Sequence, residues 1–158
     1  MRRNSIIGTA LVTTAALALA SAGEAAKSKH TTKLSCALEL YAQGMPNPSG
    51  IHFGFAQCPS PFGKGLHYNA YTVTPTGMGK GTVAAKFKNY YNRGTTRGTV
   101  AMTFSATSPK DIAYTGTVTY TGGTGKFKHV NGSGTIHCTS SDGGAHKACT
   151  VNSTLTGV

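Results

Sequence analysis

The chain is short of acidic residues and has no tryptophan. Four of its 158 residues are aspartate or glutamate, against fifteen lysines and arginines, and the formal net charge is +11. General acid–base catalysis and glycoside hydrolysis both need suitably placed carboxyl groups. Glu39 alternates with Leu38 and Leu40, which predicts that it faces solvent, while Asp111 and Asp142 lie in predicted turns. The sequence therefore indicates no site for either class of reaction.

Signatures of other common catalytic sites are also missing. The chain has no C-x-x-C pair and no G-x-S-x-G element, which argues against zinc, dithiol redox and serine-hydrolase sites. Its six histidines are scattered, with no pair at the short spacing of metal ligands. His52 and His67 fall on neighbouring predicted strands, but we interpret them as ordinary strand residues. We therefore predict no metal, no cofactor and no catalytic residue, and we favour a protein that is not an enzyme.

No long stretch has helical periodicity, and alternation of apolar and polar residues dominates instead. Such alternation is typical of half-buried strands, and Gly- and Pro-rich turns separate the segments. The predicted strands are Lys33–Gln43, Ile51–Cys58, Leu66–Thr74, Thr82–Tyr90, Thr99–Thr107, two strands of a hairpin spanning Ile112–Cys138, and, after a loop over 139–148, Cys149–Gly157. This pattern predicts an all-β fold, an eight-stranded antiparallel up-and-down barrel, because closure leaves no open sheet edge. A β-sandwich is the alternative.

The hairpin contains the most distinctive stretch of the chain. Threonines alternate with Tyr114, Val118 and Tyr120 along its first strand, and a glycine-rich turn follows. We assign that turn a structural role, because glycine reaches backbone angles that other residues resist. Phe127 is expected to cap one end of the barrel. The structural turn residues are Gly122, Gly123, Gly125 and Phe127.

The run YTGGTGKF from Tyr120 to Phe127, followed by Gly132-Ser133-Gly134, resembles a known signature. It is similar to the G-G-T-G-[KR]-F…G-x-G pattern of barrels related to allene oxide cyclase and dirigent proteins, which bacterial secreted proteins of unassigned role also carry. The resemblance implies an eight-stranded antiparallel barrel of calycin-like type. It carries over no catalytic residue, because the Glu and Asn of the cyclases cannot be aligned with LELYAQGMPNP, at the end of the first strand.

The first 22 residues have the features of a signal peptide. Arg2 and Arg3 precede an apolar run, and Ala20-Ser21-Ala22 forms a small-residue cleavage site. The protein is therefore predicted to be secreted, with no transmembrane segment after cleavage. Residues 23–32 are predicted to form a flexible lead-in, and residues 33–158 a single β-barrel domain.

Four cysteines in an exported chain predict two disulfides. Three pairings are possible from sequence alone. In the predicted barrel, Cys36 and Cys58 share one end and Cys138 and Cys149 share the other, roughly 25 Å away at the usual rise per strand residue. Since disulfide bonding needs Cα atoms within about 7 Å, we predict the pairs Cys36–Cys58 and Cys138–Cys149.

An eight-stranded barrel has room inside either for packed side chains or for one small ligand. The residues predicted to face inward are mostly bulky: Leu38, Leu40, Phe53, Phe55, Val83, Phe87, Met102, Phe104, Val118 and Tyr120. This set favours a filled interior and a non-enzymatic protein. The alternative is a barrel that binds a small apolar ligand, with or without allene-oxide-cyclase-like chemistry.

The high positive charge suggests a negatively charged partner. Because strand direction alternates, one barrel end is predicted to collect Lys27, Lys29, Lys33, Lys64, Arg93, Arg97, Lys126 and Lys128, near Tyr90 and Tyr91. The other end is predicted to hold Lys80, Lys110 and Lys147 beside Asp111 and Asp142. We hypothesise weak contacts of anionic polymers or surfaces with Lys64, Arg93, Arg97, Lys126 and Lys128, without specific nucleic-acid recognition.

Overall fold

A computed structural model describes residues 30–43 and 48–158. The strands are β1 (Thr31–Gln43), β2 (Ser49–Gln57), β3 (Lys64–Gly77), β4 (Lys80–Tyr91), β5 (Gly94–Ala106), β6 (Ile112–Gly123), β7 (Asn131–Ser140) and β8 (His146–Thr156). A single 3-10 turn, Gly125–Phe127, follows β6. The described ranges contain no α-helix, and none of their helical segments is long or apolar enough to cross a membrane. The predicted signal peptide lies outside the described residues.

The eight strands form one closed antiparallel barrel. Each strand pairs with the next in the chain, and β8 returns to pair with β1. This confirms the predicted up-and-down barrel and excludes the sandwich. Successive side chains of a strand point alternately into the barrel and out of it, so every second residue of each strand reaches the core. Residues of one strand that are an even number of positions apart face the same way, and we say that they have the same parity.

The two ends of the barrel are built differently. We call one the plug end; it holds the start of β1 and the turns over 58–63, 92–93 and 124–130. There Phe127 is fully buried and stacks on Phe62, with 4.5 Å between ring centroids, while Tyr91 packs edge-on against both rings. The other end, the cavity end, holds the turns over 78–79, 107–111 and 141–145.

The predicted orientation of β2 is wrong. Phe53 and Phe55 are 48% and 61% exposed, on the outside of the barrel, and His52 and Ala56 face inward instead. Two constraints decide which residues of β2 face the interior. Cys58, which has the same parity as His52, bonds to the inward-facing Cys36. At Gly54, the backbone of β1 is so close that a Cβ would overlap the carbonyl oxygen of Glu39.

The inward residues of β4, β5 and β6 follow the sequence pattern. Val83 and Phe87 of β4, Val100 of β5 and Val118 of β6 are buried, whereas Lys86 and Lys88 face out. Glu39 is also exposed, as its alternation predicts.

Both disulfides lie inside the barrel, between neighbouring strands. Cys36 bonds to Cys58 and Cys138 to Cys149, which confirms the pairing. The predicted separation of the two bonds at opposite ends is wrong, because Cys149 pairs across β1 with Leu38, two residues from Cys36. The two bonds are close together along the barrel, since Cys36 lies five residues into a long strand rather than at its start.

Candidate functional site

The barrel interior is not completely filled. A cavity of about 70 Å³ lies toward the cavity end, and Gly143 and Gly144 of the β7–β8 turn form part of its wall. Most of the lining is apolar and comes from Leu38, Leu40, Val73, Val83, Val100 and Met102. A smaller space of about 20 Å³ lies deeper, beside the Cys36–Cys58 bond. The prediction of a filled interior therefore fails in this half of the barrel, partly because Phe53 and Phe55 face outward.

A continuous chain of hydrogen-bonded side chains runs along the interior wall. Each member comes from an inward position of β8, β2, β3, β4 or β5. In order, the members are Lys147, His52, Asn69, His67, Asn89 and Thr96, with donor–acceptor distances of 2.9, 3.0, 3.0, 2.6 and 3.1 Å. All six residues are buried. Since buried polar groups are costly unless paired, this chain is what allows six polar residues inside the barrel.

The hydrogen bonds all run in one direction. Nδ1–H of His52 donates to Oδ1 of Asn69, whose Nδ2–H donates to Nε2 of His67. Nδ1–H of His67 donates in turn to Asn89, whose amide donates to the Thr96 hydroxyl. Each imidazole is therefore neutral, with Nδ1 protonated and Nε2 as the acceptor.

Burial supports the neutral state of both rings. Desolvation, followed by the charge of Lys147, lowers the pKa of His52 to about 4. Desolvation also lowers the pKa of His67 to about 4, and the hydrogen bond to Asn89 opposes that shift only in part. Tyr71 stacks on His52 with ring centroids 4.2 Å apart, which fixes the ring at the cavity wall.

Lys147 begins the polar chain and lies at the cavity wall. Its ammonium donates to the carbonyl oxygen of Gly144 at 2.6 Å and to Nε2 of His52 at 2.9 Å, and it sits 5.4 Å from the ring centroid of Tyr114. Burial lowers its pKa to about 8. The prediction that Lys147 belongs to a loop and to the exposed charge of that end is wrong, because β8 begins at His146 and turns Lys147 inward.

The predicted turn residues lie together at the plug end. Gly125 has a φ of +57° and Gly122 a φ of +128°, both in the region that favours glycine. Gly123 needs glycine for a different reason, since a Cβ there would overlap the carbonyl oxygen of Thr95. Phe127 reaches the centre of the aromatic plug.

The predicted polyanion-binding residues also lie toward the plug end. Lys33, Lys64, Arg93, Arg97, Lys126 and Lys128 are all exposed. Tyr90 is exposed beside them, with Lys88 over its ring at 4.8 Å. Tyr91 is not available to a partner, because it packs inward against Phe62 and Phe127. Lys27 and Lys29 lie outside the described residues.

Sequence reasoning missed the interior polar residues, although one signal in the sequence marks them. Cys36 shares its parity with the apolar residues of β1, so its disulfide partner must also face inward. Stepping back two residues at a time from Cys58 along β2 leads to His52, and one such step from Cys149 along β8 leads to Lys147. The cysteines therefore encode the orientation of both strands.

Among residues 30–43 and 48–158, no group of three His, Cys, Asp or Glu residues could bind a metal ion.

Comparison with known proteins adds little to the description of the site. No protein-family model matches the chain, and no curated protein matches it. Among solved structures, a pyocyanin demethylase aligns at 13% identity over 78% of this chain and 99% of that one, with a TM-score of 0.43. A likeness this weak supports no argument about fold or activity, so the site stands on its own geometry.

Proposed function

We propose that this protein is an exported, disulfide-bonded barrel that binds a small, mainly apolar molecule in its interior. The observation that carries the proposal is the cavity of about 70 Å³ beside an ordered polar chain. A buried water needs roughly 10–15 Å³ of such space, so the cavity holds on the order of five non-hydrogen atoms. Apolar walls with a few convergent polar groups are typical of small-molecule sites.

The wall offers one polar point of attachment. Lys147 and His52 lie at the cavity surface, while the opposite lining comes from side chains of β5 such as Val100 and Met102. A bound molecule would therefore place one polar group near Lys147 and its hydrocarbon part against the aliphatic residues. The polar chain holds both side chains in place before any ligand arrives, which lowers the entropic cost of binding.

Export and family relationship are parts of the same proposal. Two disulfides fit an oxidising compartment, and intact-mass analysis of the exported protein should show the loss of residues 1–22. The glycine-rich turn that resembles allene oxide cyclases and dirigent proteins forms the plug end of the barrel. That position supports a shared scaffold, without a shared reaction.

Binding of 1-butanol, which has five non-hydrogen atoms, tests the proposal. NMR titration should shift the methyl signals of Leu40 and Val83 in the cavity wall and leave that of Leu155, at the plug end, unchanged. Ala85→Leu should abolish the shifts, because Ala85 lines the cavity. Ala84→Leu is the matched control, since Ala84 is its outward-facing neighbour. Titration without saturable shifts at Leu40 and Val83 would refute interior binding.

A second proposed function is a weak contact between the plug end and anionic polymers. Its support is the one-sided distribution of charge: with Lys88, which pairs in register with Arg97, seven exposed cations lie toward this end, whereas the acidic residues within the described ranges, Glu39, Asp111 and Asp142, lie toward the other. Clustered charge attracts polyanions more strongly than the same charge spread evenly. No base recognition is proposed, because Tyr91 packs its ring against Phe127 in the plug.

Heparin affinity chromatography tests this second function. Neutralising Arg93, Arg97, Lys126 and Lys128 together should shift elution to clearly lower salt. With fewer cationic contacts, fewer counterions are released when the protein binds heparin, and binding is weaker. Neutralising Lys80 and Lys110, exposed at the cavity end, should change elution much less. If the salt concentration at elution falls by the same amount per cation removed in both sets, net charge alone explains retention, and the proposed contact at the plug end is wrong.

A further inference from the structure

The ammonium of Lys147 is buried without an acidic partner. The described residues contain one side-chain ion pair, between His146 and Glu39 on the outer surface. Asp142 lies in the neighbouring turn, but its carboxylate accepts hydrogen bonds from the Ser140 hydroxyl at 2.8 Å and the His146 backbone N–H at 3.0 Å. The two acceptors of Lys147 are a backbone carbonyl and a neutral imidazole. The charge of Asp142 offsets the effect of burial on the pKa of Lys147 only in part, so the ammonium has no ion-pair partner within the described residues at the wall of the apolar cavity.

Two phenol groups line the same cavity. Tyr71 and Tyr114 both belong to its wall, and the Tyr114 hydroxyl lies beside Gly144, whose carbonyl oxygen accepts from Lys147. Burial raises the pKa of Tyr71, and burial followed by the proximity of Tyr71 raises that of Tyr114 to about 12. Both hydroxyls therefore keep their protons and remain hydrogen-bond donors.

We infer that the molecule bound in the cavity is a small apolar carboxylate, held by the ammonium of Lys147 with help from the Tyr71 and Tyr114 hydroxyls. This inference rests on the proposed interior binding and names its ligand class. A carboxylate has two acceptor oxygens and one negative charge, which match a cation and two neutral donors. The aliphatic lining would contact a short hydrocarbon chain or small ring.

The other simple ligand classes fit this wall less well. An amine would place a second positive charge beside Lys147. An alcohol would accept a hydrogen bond from the ammonium but bring no negative charge to pair with it. A phosphate ester carries more oxygens than the described donors can satisfy, and unpaired buried oxygens are costly.

Three ligands with four carbon atoms each test the inference: butyrate, 1-butanol and 1-butylammonium. Affinities are measured at pH 7 from the methyl shifts of Leu40 and Val83. Butyrate should bind about tenfold more tightly than 1-butanol, as expected for one charge-assisted contact. The butylammonium ion should give no saturable shift at these methyls.

Variants then identify the anchoring side chain. Lys147→Met should weaken butyrate binding by about tenfold and 1-butanol binding by a clearly smaller factor, and saturable 1-butanol shifts at Leu40 and Val83 also show that the variant is folded. Tyr114→Phe should weaken butyrate binding by a smaller factor. Lys110→Met is the control for general electrostatics, because Lys110 is exposed at the same end of the barrel; butyrate binding should be unchanged in it.

The outcomes separate the two proposals. Binding of 1-butanol without tighter binding of butyrate in the wild-type protein would overturn the carboxylate inference and leave interior binding intact. Failure of all three ligands to shift Leu40 and Val83 would overturn both. An equal loss of butyrate affinity in Lys147→Met and Lys110→Met would also overturn the inference, since it would show an effect of net charge alone.

Discussion

The two ends of the barrel interior solve the problem of filling a β-barrel in opposite ways. At the plug end, Phe62, Tyr91 and Phe127 pack ring against ring, and Phe127 has no solvent exposure. At the cavity end, a lysine, two histidines and tyrosines surround an incompletely filled space. The plug end stabilises the fold by close packing, whereas the cavity end keeps polar groups in order at a site that a ligand can use.

This difference shows how a small domain accommodates a polar interior. The polar chain crosses five strands and pairs each buried group with the next, so its desolvation is offset by hydrogen bonds. The disulfides lie between the two regions and tie β1 to β2 and β7 to β8. Stability and binding are thus assigned to separate parts of one barrel.

The largest expected effect comes from the same truncation made at each end. Leu155→Ala, in the closely packed plug end, should cost about 5 kcal/mol of unfolding free energy, because Leu155 is fully buried. Leu40→Ala, in the cavity wall, should cost about 3 kcal/mol, because Leu40 already borders empty space. Urea denaturation measures both. Equal costs would contradict the difference in packing.

The histidines should make the cavity end sensitive to acid. Because the folded pKa values of His52 and His67 are about 4 and the ordinary value is 6.5, the unfolded chain takes up protons between pH 6.5 and 4 that the folded protein does not. Stability should therefore be full above pH 6.5 and fall as the pH drops through this window, by up to about 3 kcal/mol per histidine.

Paired histidine variants isolate that effect from other acid-sensitive groups. His67→Gln should reduce the loss of unfolding free energy between pH 7 and pH 4 relative to the wild-type protein. His137→Gln should leave the loss unchanged, because His137 faces solvent on β7. Identical pH profiles for His67→Gln and the wild-type protein would rule out a buried neutral His67.

Two turn glycines at the plug end give a smaller and sharper comparison. Gly63 and Gly125 have similar positive φ angles, of +75° and +57°, but only at Gly125 would a Cβ overlap a neighbour, the carbonyl oxygen of Arg93. Gly63→Ala should cost about 1 kcal/mol from backbone strain alone, and Gly125→Ala at least about 2 kcal/mol. Melting temperatures measure the difference. Equal shifts would mean that the turn is not packed against β4–β5.

The smallest expected effect on stability is that of Lys147→Met. The variant removes the cost of burying an ammonium but leaves the acceptors on His52 and Gly144 unpaired. These effects oppose each other, so we expect a net change within about 1 kcal/mol. Chemical denaturation at pH 7 measures it, and a loss as large as that of Leu155→Ala would make Lys147 a structural rather than a binding residue.

The barrel itself could be predicted because its determinants are local. Alternation of apolar and polar residues, glycine-rich turns and the even number of strands indicate closure. The disulfide pairing follows from strand order, although the two bonds are closer together than a barrel without stagger predicts. Actual strand stagger, which put Cys149 near Cys36, depends on pairing between β1 and β8 and has no local signature.

The site could not be predicted from hydrophobicity, because β2 has apolar residues on its outer face. Phe53 and Phe55 outweigh His52 and Gly54 in any pattern of hydrophobic alternation, yet the disulfide and the close approach at Gly54 reverse the strand's orientation. Lys147 was missed for a related reason: a lysine in a glycine-rich segment is typical of an exposed loop. Only the parity of the cysteines points to both residues.

A crystal structure of the mature protein under xenon pressure tests the central claim most directly, because xenon occupies apolar cavities inside proteins. We predict a xenon atom in the cavity half, in contact with Leu40, Val83 and Met102, and none among Phe62, Tyr91 and Phe127. A barrel with no xenon in its interior, or with xenon within the aromatic plug, would contradict the division of the interior into a packed end and a ligand-binding end.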